Sequence, residues 1–297
     1  MNKVKEGGWQ SVIHRPGTRF DGVITVESDR TTTGGELSFP VVAFGKGSIP
    51  LVIIPGLSDG LTTVEGKGRM MAFYYRKLPA DYRVYIASRP RDLPDRYTTR
   101  EMAADYAALL QTMGFDPGSI DLWGLSLGGM IAQWIAIDHG DLLAALCLAV
   151  TTPAANDTLR SVVGAWIAFA RAGDYGNLSR DSMHKTYTPT YLRRYRLMMP
   201  FLGLIGKPRS FRRFLIQADA CLTHDATAGL ASIRTPTLVI GGDADEVVGL
   251  GTSERLAELV PGAQLELYPE LGHGAFEEAT DCTDRVVRFF QSVLVHA

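Results

Sequence analysis

Cysteine is scarce in this chain: Cys147, Cys221 and Cys282 are the only three in 297 residues. No C-x-x-C occurs and no histidine stands at metal-ligand spacing from them, which excludes a disulfide framework and a structural zinc site. The three read as small apolar fillers in a reducing compartment. Long apolar runs are missing as well. None approaches the roughly 18 residues that a membrane span needs, and residues 1–8 lack the apolar core of a secretory signal. Neither sign of charge dominates: 30 Lys and Arg against 32 Asp and Glu leave −2 at pH 7, which argues against a general nucleic-acid binder. There is no P-loop, and no G-x-G-x-x-G follows a first strand. The expectation is a soluble, cytoplasmic protein, monomer or homodimer, without metal, cofactor, nucleic-acid partner or membrane span.

What is present is a large core: 46% of the residues are hydrophobic and 21% charged, enough for one large domain or a domain with an insertion. Leu51-Val52-Ile53-Ile54, ended by Pro55-Gly56, has the continuous apolar character of a strand buried on both faces. Similar runs stand at 82–87, 120–123, 146–150, 237–240 and 264–268. Amphipathic helical patterns alternate with them, one opening on a Thr98/Glu101 capping box and ending at Gly114, another apolar on nearly all sides over 127–138. Such alternation implies a mostly parallel sheet covered on both faces, and the runs at 23–26 and 39–44 read as antiparallel strands leading into it.

Residues 153–221 break the pattern. They contain helical segments, at 161–172 and after Thr188-Pro189, and no convincing strand. They read as a helical insertion dividing a core of residues 1–152 and 222–297. The insertion carries eleven Lys and Arg against four Asp and Glu, a net of +7 that leaves −9 on the remainder.

Gly124-Leu125-Ser126-Leu127-Gly128 has the G-x-S-x-G spacing and sits where a strand run ends and a helical pattern begins. A serine on such a strained turn presents its hydroxyl, and the flanking glycines avoid Cβ collisions with neighbouring elements. A serine hydroxyl needs a base, and the base needs an orienting acid. Six histidines are available. His14 and His296 lie near the termini, His139 ends the helix after the serine, and His184 and His224 belong to the insertion and its far edge. His273, in Gly272-His273-Gly274 after the last strand, is the base candidate. The acid comes from Gly241-Gly242-Asp243-Ala244-Asp245, at the carboxyl end of the preceding strand. Asp245 is the first choice and Asp243 the alternative; both also suit an ordinary turn.

The order Ser126, Asp245, His273 belongs to one serine-hydrolase fold in particular. With Ile54-Pro55-Gly56-Leu57, the serine turn, the 236–245 segment and Gly272-His273-Gly274, the chain resembles the α/β-hydrolase superfamily over about residues 40–150 and 222–293. That resemblance implies an α/β fold with an eight-stranded, mostly parallel sheet, helices on both faces, and residues 153–221 as an all-helical cap. It also implies an oxyanion hole formed by the backbone N–H groups of Leu57 and Leu127. The family's common His-Gly is Pro55-Gly56 here, and its Asp-x-Arg-Gly-x-Gly is replaced by Ser88-Arg89-Pro90-Arg91-Asp92.

Among such proteins the serine points to acyl chemistry on a small-molecule substrate. A carboxylic ester or lactone hydrolase is the expected activity. An acyltransferase or cyclase, a C–C bond hydrolase, or a non-catalytic ligand-binding member are the alternatives. Trp166, Phe169, Tyr187, Tyr191 and Tyr195 are candidates to line the pocket, or else to pack the cap helices together. Arg193, Arg194 and Arg196 suit either an anionic substrate or a solvated helix face.

Overall fold

The apolar runs form the eight strands that their pattern suggests. They are β1 (Phe20–Glu27), β2 (Glu36–Phe44), β3 (Ile49–Ile54), β4 (Tyr82–Ala87), β5 (Ile120–Leu125), β6 (Leu143–Ala149), β7 (Thr237–Gly242) and β8 (Gln264–Tyr268). The computed structural model describes residues 9–27, 35–195, 197 and 206–296. One sheet holds all eight strands in the order β1-β2-β4-β3-β5-β6-β7-β8. The β1–β2 and β2–β4 pairs are antiparallel and every other pair is parallel.

Strands β4, β5 and β7 are buried at every residue, because helices cover both faces of the sheet. The side-chain period of two divides the strands between two cores. Ile120 and Leu122 join a core with Met102, Leu109 and Ile131, whereas Trp123 and Leu125 join one with Val286 and Phe290. The helix Leu127–Asp138 is buried along most of its length, as its apolar surface on all sides requires.

The helix Thr99–Met113 starts at the expected capping box, in which Thr98 accepts from the Glu101 N–H and Glu101 accepts from the Thr98 N–H. It ends at Gly114 with φ 75°, a left-handed position suited to glycine. Replacing Thr98 by alanine frees one N–H of the first turn. It is expected to cost about 1 kcal/mol, read as a shifted midpoint in urea unfolding.

Between β6 and β7 the described residues form helices, the longer ones being Asp157–Arg171, Tyr175–Thr186 and Arg212–Leu222. The first begins four residues before its periodicity suggests, because the Asn156 side chain caps it by accepting from the Leu159 N–H at 2.9 Å. The two ends of this segment meet at its root. Ala154 bridges Asp225, the Ala155 N–H donates to the His224 carbonyl (2.8 Å), and the Ala226 N–H donates to the Pro153 carbonyl (2.9 Å). The three cysteines are buried and unpaired. Among the described residues no helix is long and apolar enough to cross a membrane.

Candidate active site

Parallel pairing brings the carboxyl ends of β3, β5, β7 and β8 to one edge of the sheet, where loops can converge on a common site. Ser126 follows β5 directly. Its backbone stands at φ 53°, ψ −116°, a conformation that a non-glycine residue adopts only when its surroundings impose it. The surroundings do so by hydrogen bonds. The Ser126 N–H donates to the Ala149 carbonyl at 2.9 Å, and its own carbonyl accepts from the Thr151 hydroxyl at 2.9 Å and the Gly129 N–H at 2.8 Å. The flanking glycines have no room for a side chain. A Cβ on Gly128 would lie 2.0 Å from the Ile54 carbonyl oxygen, and one on Gly124 would lie 2.6 Å from that of Gly128.

His273 reaches this serine from the loop after β8, with Nε2 2.9 Å from the Ser126 Oγ. Its Nδ1 lies 2.8 Å from Asp245 Oδ2. A carboxylate only accepts, so the hydrogen sits on Nδ1 and Nε2 is left to accept from the serine hydroxyl. Asp245 is buried, and its Oδ1 accepts from the N–H groups of Val247 (2.8 Å) and Val248 (3.0 Å). Asp243 points elsewhere. Exposed, it accepts from the Glu270 N–H at 2.7 Å and ties the loops after β7 and β8 together.

Two other histidines are held in place by their own partners. His14 contacts Tyr85 and the Met113 carbonyl, and buried His224 contacts Thr99. Burial pushes the His224 imidazole down to about 4, so it is neutral near pH 7.

Leu57 and Leu127 each open a helix, the short turn Leu57–Gly60 and Leu127–Asp138. Neither N–H therefore has an acceptor within its own helix. Gly56 stands beside the serine, since a Cβ placed on it would lie 3.2 Å from the Ser126 Cβ. Ser126, His273 and Leu57 line a cavity of about 460 Å³ whose walls are mainly apolar.

Of the five aromatic candidates, Trp166 and Tyr187 line this cavity, and Phe169, Tyr191 and Tyr195 do not. Phe169 packs at the edge of the larger core. Tyr191 stacks on Tyr187 at 4.9 Å between ring centroids, and Tyr195 follows at 5.6 Å, so the ring series leads away from the cavity wall. Arg193 bonds Thr190, and Arg194 lies over the Tyr191 ring. Arg196 lies outside the described residues.

Two arrangements around the cavity carry no motif in the sequence. The first joins the segment 186–188 to the loop that bears His273. The Gly274 N–H donates to the Thr186 carbonyl at 2.7 Å, Tyr187 bonds Glu277, and Thr188 donates through both its N–H and its hydroxyl to Glu278. The second is a buried charge cluster behind Gly56. Asp59 Oδ2 lies 3.4 Å from Arg89 Nε and 2.6 Å from Arg213 Nη2. Burial pushes the Asp59 carboxyl up, but the two guanidinium groups more than offset it and hold it below the usual carboxylate range. Only the unusual Ser88-Arg89-Pro90 replacement marks this cluster in the sequence.

The fold and this constellation define a class: a doubly covered, mostly parallel sheet with a strained serine after β5 and a histidine and a carboxylate at the same edge. Residues 49–280 match the alpha/beta hydrolase fold family, and the chain belongs to it. It is 29% identical over 246 residues to RutD of Stutzerimonas stutzeri strain A1501, named provisionally as a carbamate hydrolase; the match covers 72% of this chain and 84% of that one. It is 24% identical to the pimeloyl-[acyl-carrier protein] methyl ester esterase of Nitrosomonas europaea, over 65% of this chain and 82% of that one. The enol-lactonase of Burkholderia xenovorans LB400 shares the fold with a TM-score of 0.71 at 19% identity, covering 88% of this chain and 99% of that one.

Proposed function

We propose that the protein is a serine hydrolase that cleaves a carboxylic ester or lactone through an acyl-enzyme. The observation that carries this reading is His273 bridging the Ser126 hydroxyl and the Asp245 carboxylate, at 2.9 and 2.8 Å. As Oγ attacks the carbonyl carbon, its proton passes to Nε2, and Asp245 stabilises the imidazolium that forms. The oxyanion of the tetrahedral intermediate faces the N–H groups of Leu57 and Leu127. Collapse restores the carbonyl and breaks the bond from the acyl carbon to the leaving-group oxygen, which takes the proton from Nε2 as it departs; in a lactone it remains tethered to the acyl group. Water then gives a proton to Nε2 and attacks the acyl-enzyme, and the carboxylic acid leaves as Ser126 regains its proton.

Residues 153–221 act as a cap over the core of residues 1–152 and 222–297. Trp166 and Tyr187 supply part of the cavity wall from that segment, and the apolar lining suits the acyl chain. The names of the relatives support the same chemistry, since a methyl ester and an enol-lactone both undergo acyl transfer to water. Labelling with a fluorophosphonate probe, followed by a screen of p-nitrophenyl esters and lactones, tests the proposal. The expected result is one label, on Ser126, and turnover of at least one ester or lactone. A protein that takes no label and turns over none of them is not this enzyme.

A further inference from the structure

Arg89, just past the end of β4, is 0% exposed. A buried guanidinium persists only where its donors are satisfied, and the acceptors chosen here are informative. Its Nη1 donates to the Pro55 carbonyl and its Nη2 to the Gly56 carbonyl, each at 2.5 Å. Its Nε and Nη2 also donate to Gln217 Oε1, at 3.0 and 2.8 Å. Four of the five N–H bonds of the group are thus spent on one loop and one side chain. The loop is the one that leads into Leu57. Gln217 belongs to the helix Arg212–Leu222, and the same helix sends Arg213 to Asp59.

The Gly56 carbonyl and the Leu57 N–H are two ends of one planar peptide unit, and the described chain contains no cis peptide bond. In a trans unit the C=O and the N–H point in opposite directions. Whatever holds the Gly56 oxygen therefore also aims the Leu57 hydrogen. Arg89 grips that oxygen and its neighbour Pro55 together, which prevents the unit from rotating. Its charge also draws electron density toward the carbonyl and makes the N–H at the other end a stronger donor.

We propose that Arg89 is the positioning residue of the oxyanion loop, and that Gln217 completes its hold, so that the Leu57 N–H is aimed only while the helix Arg212–Leu222 is seated. The proposal rests on the serine-hydrolase reading, in which Leu57 supplies an oxyanion donor.

The test compares wild type with Arg89→Met, Arg89→Lys and Gln217→Met on a p-nitrophenyl ester, with circular dichroism and thermal midpoints as checks on folding. Arg89→Met is expected to lose about 10²-fold in kcat, the scale of one oxyanion donor, with KM nearly unchanged. A lysine presents a single ammonium in place of a fork, so Arg89→Lys is expected to recover only part of that loss. Gln217→Met leaves the guanidinium in place and is expected to lose about tenfold, a fraction of one donor's worth. A trifluoromethyl ketone, which forms a tetrahedral adduct on Ser126, separates positioning from a purely structural role. Its affinity should fall in step with kcat/KM, while inhibition by the carboxylate product should not change.

If Arg89→Met does not fold, Gln217→Met decides. Folded variants that keep wild-type kcat, or that lose product and ketone binding equally, overturn the proposal and leave the hydrolase reading intact. A wild-type protein without Ser126-dependent turnover overturns both.

Discussion

Replacing Ser126 by alanine is expected to lower kcat/KM on an activated ester by about 10⁶-fold, the loss seen when the nucleophile of a cooperating triad is removed. Stability should move by no more than about 1 kcal/mol, because among the described residues the only side-chain hydrogen bond lost is the one to His273 Nε2. Alanine keeps the Cβ and therefore the strained backbone at φ 53°, so the variant isolates chemistry from folding. Asp245→Asn should cost about 10⁴-fold by a different route. The Asn Oδ1 still accepts from the Val247 and Val248 N–H groups, but its amide then donates toward His273 Nδ1. The ring hydrogen is displaced to Nε2, where it can no longer accept the serine proton. Initial rates on a p-nitrophenyl ester and thermal midpoints check both expectations. Ester turnover by Ser126→Ala at the wild-type rate would falsify the assignment of the nucleophile.

Asp121→Asn is expected to make the protein more stable above neutral pH and to remove a pH dependence from the parent. Asp121 lies in β5, far along the strand from the serine, and is 0% exposed. Neither of its oxygens makes a well-formed hydrogen bond among the described residues, the Tyr82 phenol standing nearby. Burial raises its pKa from 3.8 to about 7, an effect that the nearby Tyr82 phenol only partly offsets. The unfolded chain releases this proton near pH 4, whereas the folded chain keeps it until about pH 7. The parent should therefore be most stable, as far as this group is concerned, below pH 4. It should lose stability as the pH rises from about 4 to about 7 and level off above that, a difference of about 4 kcal/mol at most. Asparagine is isosteric and does not titrate, so urea unfolding of the variant should lack this slope. Parallel stability profiles for parent and variant between pH 5 and 8.5 would rule the effect out.

The parts of the protein that were legible in its sequence are those governed by near neighbours in the chain. The strand runs, the Thr98/Glu101 capping box and the glycine-flanked Ser126 all have short-range causes: side-chain period, a hydrogen bond across one helical turn, and the steric demand of a sharp turn. The pairing of His273 with Asp245 rather than Asp243 was less legible, because both acids suit a turn after β7. The choice depends on how that turn lies against the loop after β8, where the Glu270 N–H claims Asp243. The aromatic candidates show the same limit. Tyr187, Tyr191 and Tyr195 share one helical-type spacing, and only the first faces the cavity. Arg89 and Asp121 look like ordinary charged residues in any local window, and their significance arises from partners, or the lack of them, far away in the chain.

The sequence by itself thus determined the elements, the family resemblance and which serine stands on the strained turn after β5. Hydrophobic period, capping and turn chemistry act within a few residues and are written directly in the chain. Only the tertiary structure decided which carboxylate meets His273, which aromatic residues enclose the cavity, and that Arg89 grips the carbonyls ahead of Leu57. The hydrogen bonds among those contacts join residues 28, 33 and 34 positions apart, and parallel sheet pairing, rather than any local preference, brings them within reach.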